Sequence, residues 1–317
     1  MAKKTNPVIE LDDLLMEDID ELVTTVVDIA ESVRKTKIEE RVEEEPVVSV
    51  ATVEETTIVS PPHFLTGIET MIDDIEATVA KPTWIIYGKN GTGKTKIGGT
   101  ADGALILAAE DGTMTLRKYT GVQRKWLRIK KWSDLEDVYW LLRKGTVTPE
   151  GIQIYTKSGT FVVKYLVFDT ITKLAQVCLR SVVLGAAASD PTKDVISATL
   201  RDWGTMSQKM TYWLMQFKDL PVQLVWLMQE VSSGETDDEE FSVTVDVNKA
   251  LRNSLLAEAD VIGRTGITTV KGEPTFVIRF TPNPKFVTKD RTGVLGNSAY
   301  ANPNLDTLNE KIEGGLR

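Results

Sequence analysis

The chain has 317 residues, 42% apolar and 26% charged, with a formal net charge of −9. This length allows one large core or two modest ones. A single cysteine (Cys178) and a single histidine (His63) exclude an intramolecular disulfide, a Cys/His zinc cluster within the chain and the usual nucleophile–histidine pairs.

No apolar run approaches the roughly 18–20 residues of a membrane span. Met1-Ala2-Lys3-Lys4 leads into acidic sequence and not into an apolar signal region. A cytoplasmic protein with no membrane partner is therefore expected. The charge is unevenly spread. Residues 1–60 carry 6 Lys/Arg against 16 Asp/Glu, and the rest of the chain carries 31 against 30. Residues 1–60 read as an acidic, largely disordered arm, and 61–317 as one folded domain. Within the arm a helix pattern from Leu11 to Val33 puts Leu14, Ile19, Leu22 and Val26 near one face, which would suit docking on a protein partner. Pro61-Pro62 marks a boundary, and a helix-like stretch from Gly67 to Ala80 leads to Pro82.

The body alternates strand and helix patterns. Trp84-Ile85-Ile86-Tyr87 is a short apolar strand ending at a glycine turn, and Ala104–Ala109 is another. Trp126–Ile129 is a weaker third. Ser133 with Glu136 three residues on predicts a helix start with a capping box. Phe161–Lys164 and Tyr165–Phe168 lead into Asp169. A long helix pattern covers Val195 to Phe217, and Val222–Met228 is nearly continuous apolar sequence, the mark of a strand buried on both faces. Lys271-Gly272-Glu273-Pro274, between Ile267–Val270 and Thr275–Phe280, signals a hairpin. The alternation predicts an α/β fold with a mostly parallel central sheet, helices on both faces and a strand-rich C-terminal part.

Gly88-Lys89-Asn90-Gly91-Thr92-Gly93-Lys94-Thr95 matches G-x-x-x-x-G-K-[ST] in full. Glycines let the backbone curl so that successive N–H groups face phosphate oxygens. The helix that follows offers its free N–H groups and positive dipole end to the same anion. Lys94 reaches the β- and γ-phosphates, and the Thr95 hydroxyl ligates Mg²⁺. ATP with Mg²⁺ is the expected ligand. A carboxylate for the metal is expected at Asp169, at the C-terminal end of the strand Tyr165–Phe168. Thr170 follows it in place of a second acid, so the catalytic carboxylate must come from elsewhere. Glu110, ending the strand Ala104–Ala109, is the candidate to polarise the attacking water, with Asp111 as its rival. Gln229 ends the strand Val222–Met228, where a polar side chain can sense the γ-phosphate.

The phosphate loop, Glu110, Asp169-Thr170 and Gln229, occurring in that order, resemble the RecA-type ATPase core. Lys289-Asp290-Arg291-Thr292-Gly293 resembles the K-x-R-x-G element of RadA-like and DnaB-like proteins of this class. Together with Ala108-Ala109-Glu110-Asp111-Gly112 and Asp202-Trp203-Gly204, these features make residues 82–300 most similar to small phage-encoded RecA-like ATPases of recombination and single-strand annealing. The resemblance implies a homo-oligomer, ring or filament, that binds and hydrolyses ATP at subunit interfaces. Lys289 and Arg291 would reach the neighbouring subunit's γ-phosphate. The loop after Gln229, where such proteins contact DNA, here reads Val231-Ser232-Ser233-Gly234-Glu235-Thr236-Asp237-Asp238-Glu239-Glu240, and its acids would repel phosphate.

Single-stranded DNA has a better candidate track in Arg117, Lys118, Arg124, Lys125, Arg128, Lys130 and Lys131, with Tyr119, Trp126 and Trp132 alongside. Cations for the backbone and aromatics for base stacking suit single strands. A solvated face, or a subunit contact meeting an acidic arm, is the competing reading. Arg180, Lys193 and Arg201 are weaker candidates. For the whole chain, a helicase- or loader-like ATPase acting with protein partners and a non-hydrolysing, nucleotide-dependent scaffold compete with the recombination reading.

Overall fold

The computed structural model describes residues 81–110, 112–118, 120–190, 192–233, 242–296 and 299–316. The acidic arm, the Leu11–Val33 and Gly67–Ala80 helix patterns, Asp111, Tyr119 and residues 234–240 of the acidic loop lie outside these residues, while Val231, Ser232 and Ser233 of that expected loop are strand.

One mixed sheet organises the described chain. Its parallel core comprises β1 (Trp84–Gly88), β2 (Ala104–Ala108), β3 (Arg124–Arg128), β7 (Tyr165–Asp169), β8 (Gln223–Ser233) and β10 (Val261–Val270). Their spatial order is β10-β1-β8-β7-β2-β3. Strands β1, β2 and β7 read as near-unbroken apolar runs because helices cover both sheet faces, and every residue of β1 and β2 is buried. β8 lies between the phosphate-loop strand and the Asp169 strand. The α/β fold expected from the sequence is the fold observed.

On one face pack α2 (Trp132–Arg143), α3 (Ile171–Ser189), α4 (Leu200–Lys218) and α5 (Lys249–Glu258). Their core includes Leu135, Leu174, Met210 and Leu251. On the other lie α1 (Lys94–Gly98) and α6 (Leu305–Leu316), through Ile97, Leu305, Leu308 and Ile312. Burying each of these large aliphatic side chains stabilises the fold by roughly 1.5–3 kcal/mol. A buried amide fixes α6 to the sheet. Asn309 Oδ1 accepts from Trp84 Nε1 at 3.1 Å and Gln223 Nε2 at 2.8 Å, and Asn309 Nδ2 donates to Tyr165 Oη at 3.1 Å.

The strand-rich C-terminal part is antiparallel. β9 (Ser242–Val245) pairs with β8. β11 (Glu273–Arg279) and β12 (Lys289–Asp290) pair with β10, and β13 (Ala299–Ala301) pairs with β11. The predicted hairpin turns at Lys271 (φ 51°) and Gly272 (φ 84°), two left-handed residues as a tight antiparallel turn requires.

Four expectations need correction. The Ser133–Glu136 capping box does not form. Instead Asp134 Oδ2 accepts from the N–H groups of Lys130 (2.8 Å) and Lys131 (3.1 Å), and α2 starts at Trp132. α4 starts at Leu200, not Val195, where the Thr199 hydroxyl accepts from Asp202 N–H. A small sheet of β4 (Thr146–Thr148), β5 (Gly151–Thr156) and β6 (Gly159–Val163) takes up Phe161–Val163, and only its last strand was legible. Finally, α3 is long and apolar enough to span a membrane by length and composition alone. The apolar count missed it because Lys173 and Arg180 interrupt the run. Its Ile171, Leu174, Ala175 and Cys178 are buried, with Cys178 Sγ 3.9 Å from Met206 O of α4.

Candidate nucleotide site

The parallel register brings the expected residues to one edge. Gly88 pairs with Gln229, Asp169 with Leu227, and Ala108 with Asp169. The C-terminal ends of β1, β2 and β7 therefore open together, beside the point where β8 leaves its parallel partners and runs on to pair with β9. Between β1 and α1 the loop turns through Gly91 (φ 78°) and Gly93 (φ 90°), conformations costly for any residue with a Cβ. A Cβ on Gly93 would also lie 2.9 Å from Phe276 Cδ1, and one on Gly88 would lie 2.3 Å from Thr265 Oγ1. Thr92 Oγ1 lies 2.7 Å from both Lys89 O and Thr265 Oγ1, which ties the loop to β10.

Lys94 is buried. Its Nζ donates to Gly88 O and Lys89 O, each at 2.8 Å. Burial lowers its pKa, opposed by the nearby Asp169, Glu110 and Glu230 carboxylates. The ammonium thus rests on the loop's own carbonyls, beside the space that phosphates would take.

Asp169 is 4% exposed. Burial pushes its pKa up to about 6. A hydrogen bond from the Thr95 hydroxyl opposes that rise, the Glu110 charge reinforces it and Lys94 opposes it. The Asp169–Thr170 peptide is cis. A Cβ on Gly112 would sit 3.7 Å from both Asp169 Oδ2 and Thr95 Oγ1, so the bare glycine leaves room beside two hard oxygen donors. One carboxylate and one hydroxyl, completed by phosphates and water, is a donor set that fits Mg²⁺. No group of three His, Cys, Asp or Glu side chains suits a metal among the described residues.

Glu110 is half-buried just beyond β2, and Thr170 Oγ1 donates to its Oε1 at 3.4 Å. Gln229 is held by its backbone. Its N–H donates to Thr172 Oγ1 at 3.1 Å, and its carbonyl accepts from Asp246 N–H at 2.8 Å. Lys94, Thr95, Glu110, Asp169 and Gln229 line one cleft of ≈ 250 Å³, together with Asn90, Gly91 and Gly93.

That cleft has one wall the sequence did not announce. Phe276, on β11, covers Gly93 and lies 5.0 Å from Lys96 Nζ. The hairpin that carries it was legible. Its docking against the phosphate loop depends on β10 pairing with β1, which no local pattern encodes.

A family profile described as an AAA domain (AAA_24) matches residues 80–292, from just ahead of β1 to just past β12. The chain belongs to this AAA-domain family. No curated protein matches it. Among the solved structures similar to it at low identity are two archaeal proteins. The flagellar accessory protein FlaH from Methanocaldococcus jannaschii is 10% identical with a TM-score of 0.37, over 71% of this chain and 87% of that one. A KaiC-like protein from Pyrococcus horikoshii OT3 is 12% identical with a TM-score of 0.36, over 70% and 84%.

In this AAA-domain protein Lys289 and Arg291 stand apart from the nucleotide cleft. β12 pairs with the first residues of β10, Val261 and Ile262, which align with Trp84 and Ile85. That is the end of the sheet opposite Gly88, about 13 Å away along the strand. Lys289 Nζ donates to Leu256 O and Ala257 O at 3.1 Å each. Arg291 Nη1 bonds Asp260 Oδ1 at 3.0 Å, and Arg291 Nη2 donates to Ala257 O at 3.1 Å. Within one chain both cations cap the C-terminal end of α5, whose free carbonyls favour positive charge.

The basic stretch lies on and beside β3, the edge strand of the sheet. Trp126 is 53% exposed, but Trp132 is buried at 3% and offers no stacking face. Arg124 donates to Gly99 O and Leu116 O, and Lys125 bonds Ser158 Oγ. Arg117, Lys130 and Lys131 are exposed. Lys193 is committed to Asp202, with Nζ at 2.6 Å from Oδ2.

Proposed function

We propose that this protein hydrolyses ATP with Mg²⁺ and acts on single-stranded DNA, in recombination or annealing, as a homo-oligomer. The observation that carries the hydrolytic part is the meeting of Lys94, Thr95, Glu110, Asp169 and Gln229 in one cleft at the sheet's C-terminal edge. Mg²⁺ bound there would neutralise phosphate charge and orient the transferred group. Thr95 and Asp169 would hold it. Lys94 would exchange the loop carbonyls for phosphate oxygens, a pairing of opposite charges in a partly dry site. Glu110 would take the proton of the attacking water, with Thr170 orienting its carboxylate. Gln229 would hydrogen-bond the terminal phosphate. Phe276 offers a flat apolar face to the base.

DNA action is supported by the exposed Trp126, which lines a cleft with Arg117, Arg124 and Lys125, and by the exposed Lys130 and Lys131 just beyond β3. The oligomeric part is supported by the half-exposed Arg291, 54% of whose side chain faces solvent. In a ring or filament it and Lys289 would leave α5 and Asp260 for a neighbour's γ-phosphate. ATPase rate with and without single-stranded DNA, with oligomer size recorded in the same samples, tests the reading. Stimulation with assembly is the expected result. Robust turnover with neither DNA binding nor stimulation at low salt would sink the DNA part, and ATP binding without turnover would sink the enzyme.

A further inference from the structure

β10 and β11 set Arg264 directly opposite Arg279. Cross-strand partners of an antiparallel pair project from the same face, and like charges there repel. Among the described residues only one of the two is neutralised. Arg264 makes a forked pair with Glu230, Nε to Oε2 at 3.0 Å and Nη2 to Oε1 at 3.2 Å, and lies over the Phe286 ring at 5.0 Å. Arg279 is exposed and has no hydrogen bond or ion pair from its side chain among the described residues. The same holds for the Lys89 side chain, at the start of the phosphate loop.

Arg264, Arg279 and Lys89 line a cleft of ≈ 320 Å³, to which Thr268 and Gly266 also contribute. Among the described residues no carboxylate lines it, and it shares none of its lining with the nucleotide cleft. The wall at Gly266 is bare. A Cβ there would meet only Val277 Cγ2, at 3.9 Å. A cleft that among the described residues holds two cations without an ion pair, a third already paired and no acid suits a tetrahedral anion. A guanidinium fork pairs with phosphate oxygens bidentately, and Lys adds a point charge.

We propose that this cleft is a second phosphate-binding site, gripped by Arg279 and Lys89 on the β10 side of the phosphate loop and distinct from the nucleotide cleft. Its ligand is a phosphate group, carried either by a nucleic-acid backbone or free in solution. The site goes beyond the β3 track described above and does not depend on it, since β3 lies at the far edge of the parallel core.

The test uses the full chain without nucleotide at low salt, as Arg279→Ala and as Gly266→Val. The valine fills the wall without changing charge, and thermal melting of both variants checks that they fold. One probe is labelled oligo(dT), read by anisotropy. The other is inorganic phosphate, read by calorimetry in a Lys94→Ala background that silences the phosphate loop. If the ligand is a backbone phosphate, both variants weaken oligo(dT) binding about 3- to 10-fold, and Arg279→Ala lowers the slope of log affinity against log salt by about one. If it is free phosphate, both variants lose phosphate binding while oligo(dT) affinity is unchanged. Basal ATPase without DNA stays within about twofold in either case. The proposal is overturned if both probes bind both variants as they bind wild type. It is also overturned if Arg143→Ala, at an exposed arginine of α2, weakens oligo(dT) binding as much as Arg279→Ala does.

Discussion

Glu110 and Thr170 leave adjacent parallel strands and meet at their ends, with Thr170 Oγ1 donating to Glu110 Oε1 across 3.4 Å. The contact follows from the register of β2 and β7, which pairs Ala108 with Asp169. Glu110→Gln should keep ATP binding and lower kcat by about 10²- to 10⁴-fold, the range for loss of a general base. Thr170→Val should cost far less, because it removes only an orienting bond. Single-turnover hydrolysis alongside nucleotide affinity checks both. Turnover unchanged in Glu110→Gln would remove Glu110 from the chemistry.

Asp169 carries a stability signature. Its folded pKa is raised to about 6 by burial, whereas an unfolded aspartate titrates near ~3.9. Between those values the folded chain holds a proton that the unfolded chain has lost. This group's contribution to stability is therefore full below about pH 4 and is lost as pH rises through about 6. Asp169→Asn should stabilise the free protein at pH 7.5, by on the order of 2 kcal/mol, and abolish Mg²⁺-dependent turnover. Melting temperature against pH, for both proteins without nucleotide, checks it. Parallel curves would show that Asp169 does not titrate in this window.

Phe276 predicts a split between base and phosphate recognition. Phe276→Ala should weaken ATP binding several-fold and leave tripolyphosphate binding unchanged, because only ATP brings a base to the ring. Phe276→Tyr should retain ATP affinity. Equal losses for ATP and tripolyphosphate would mean that the ring serves only to shape the loop at Gly93.

Arg291 should separate binding from hydrolysis if it acts on a neighbour. Arg291→Ala should bind ATP and lose turnover, and mixing it with Lys94→Ala chains should restore part of the activity. The exposed pair with Asp260 is worth at most about 1 kcal/mol, so the melting temperature should barely move. Absence of any rescue across mixing ratios would leave Arg291 as a cap of α5 alone.

The register also explains how much of the site was legible. Asp169 ends an apolar strand and Glu110 follows one, so both could be placed at the sheet edge from local pattern; Gln229, expected to end its strand, instead lies within β8, which runs on to Ser233 to pair with β9. Trp132 could not be told from Trp126 in this way. Both sit in the same basic stretch, yet Trp132 opens α2 and turns into the core while Trp126 stays on an edge strand. Lys289 and Arg291 were legible as a motif but not as a place. Their position depends on β12 pairing with the start of β10 rather than its end.

What the sequence determined by itself was the phosphate loop, the apolar strands that carry its partners and the turn at Lys271-Gly272. Each depends on residues within about ten positions of one another, through glycine conformations and hydrophobic period. Tertiary structure decided that Phe276 covers Gly93, that among the described residues Arg264 and not Arg279 is neutralised, and that Lys289 and Arg291 hold the end of α5. Those outcomes follow from which distant strands pair and in what register, and a one-residue shift would turn each side chain to the other face.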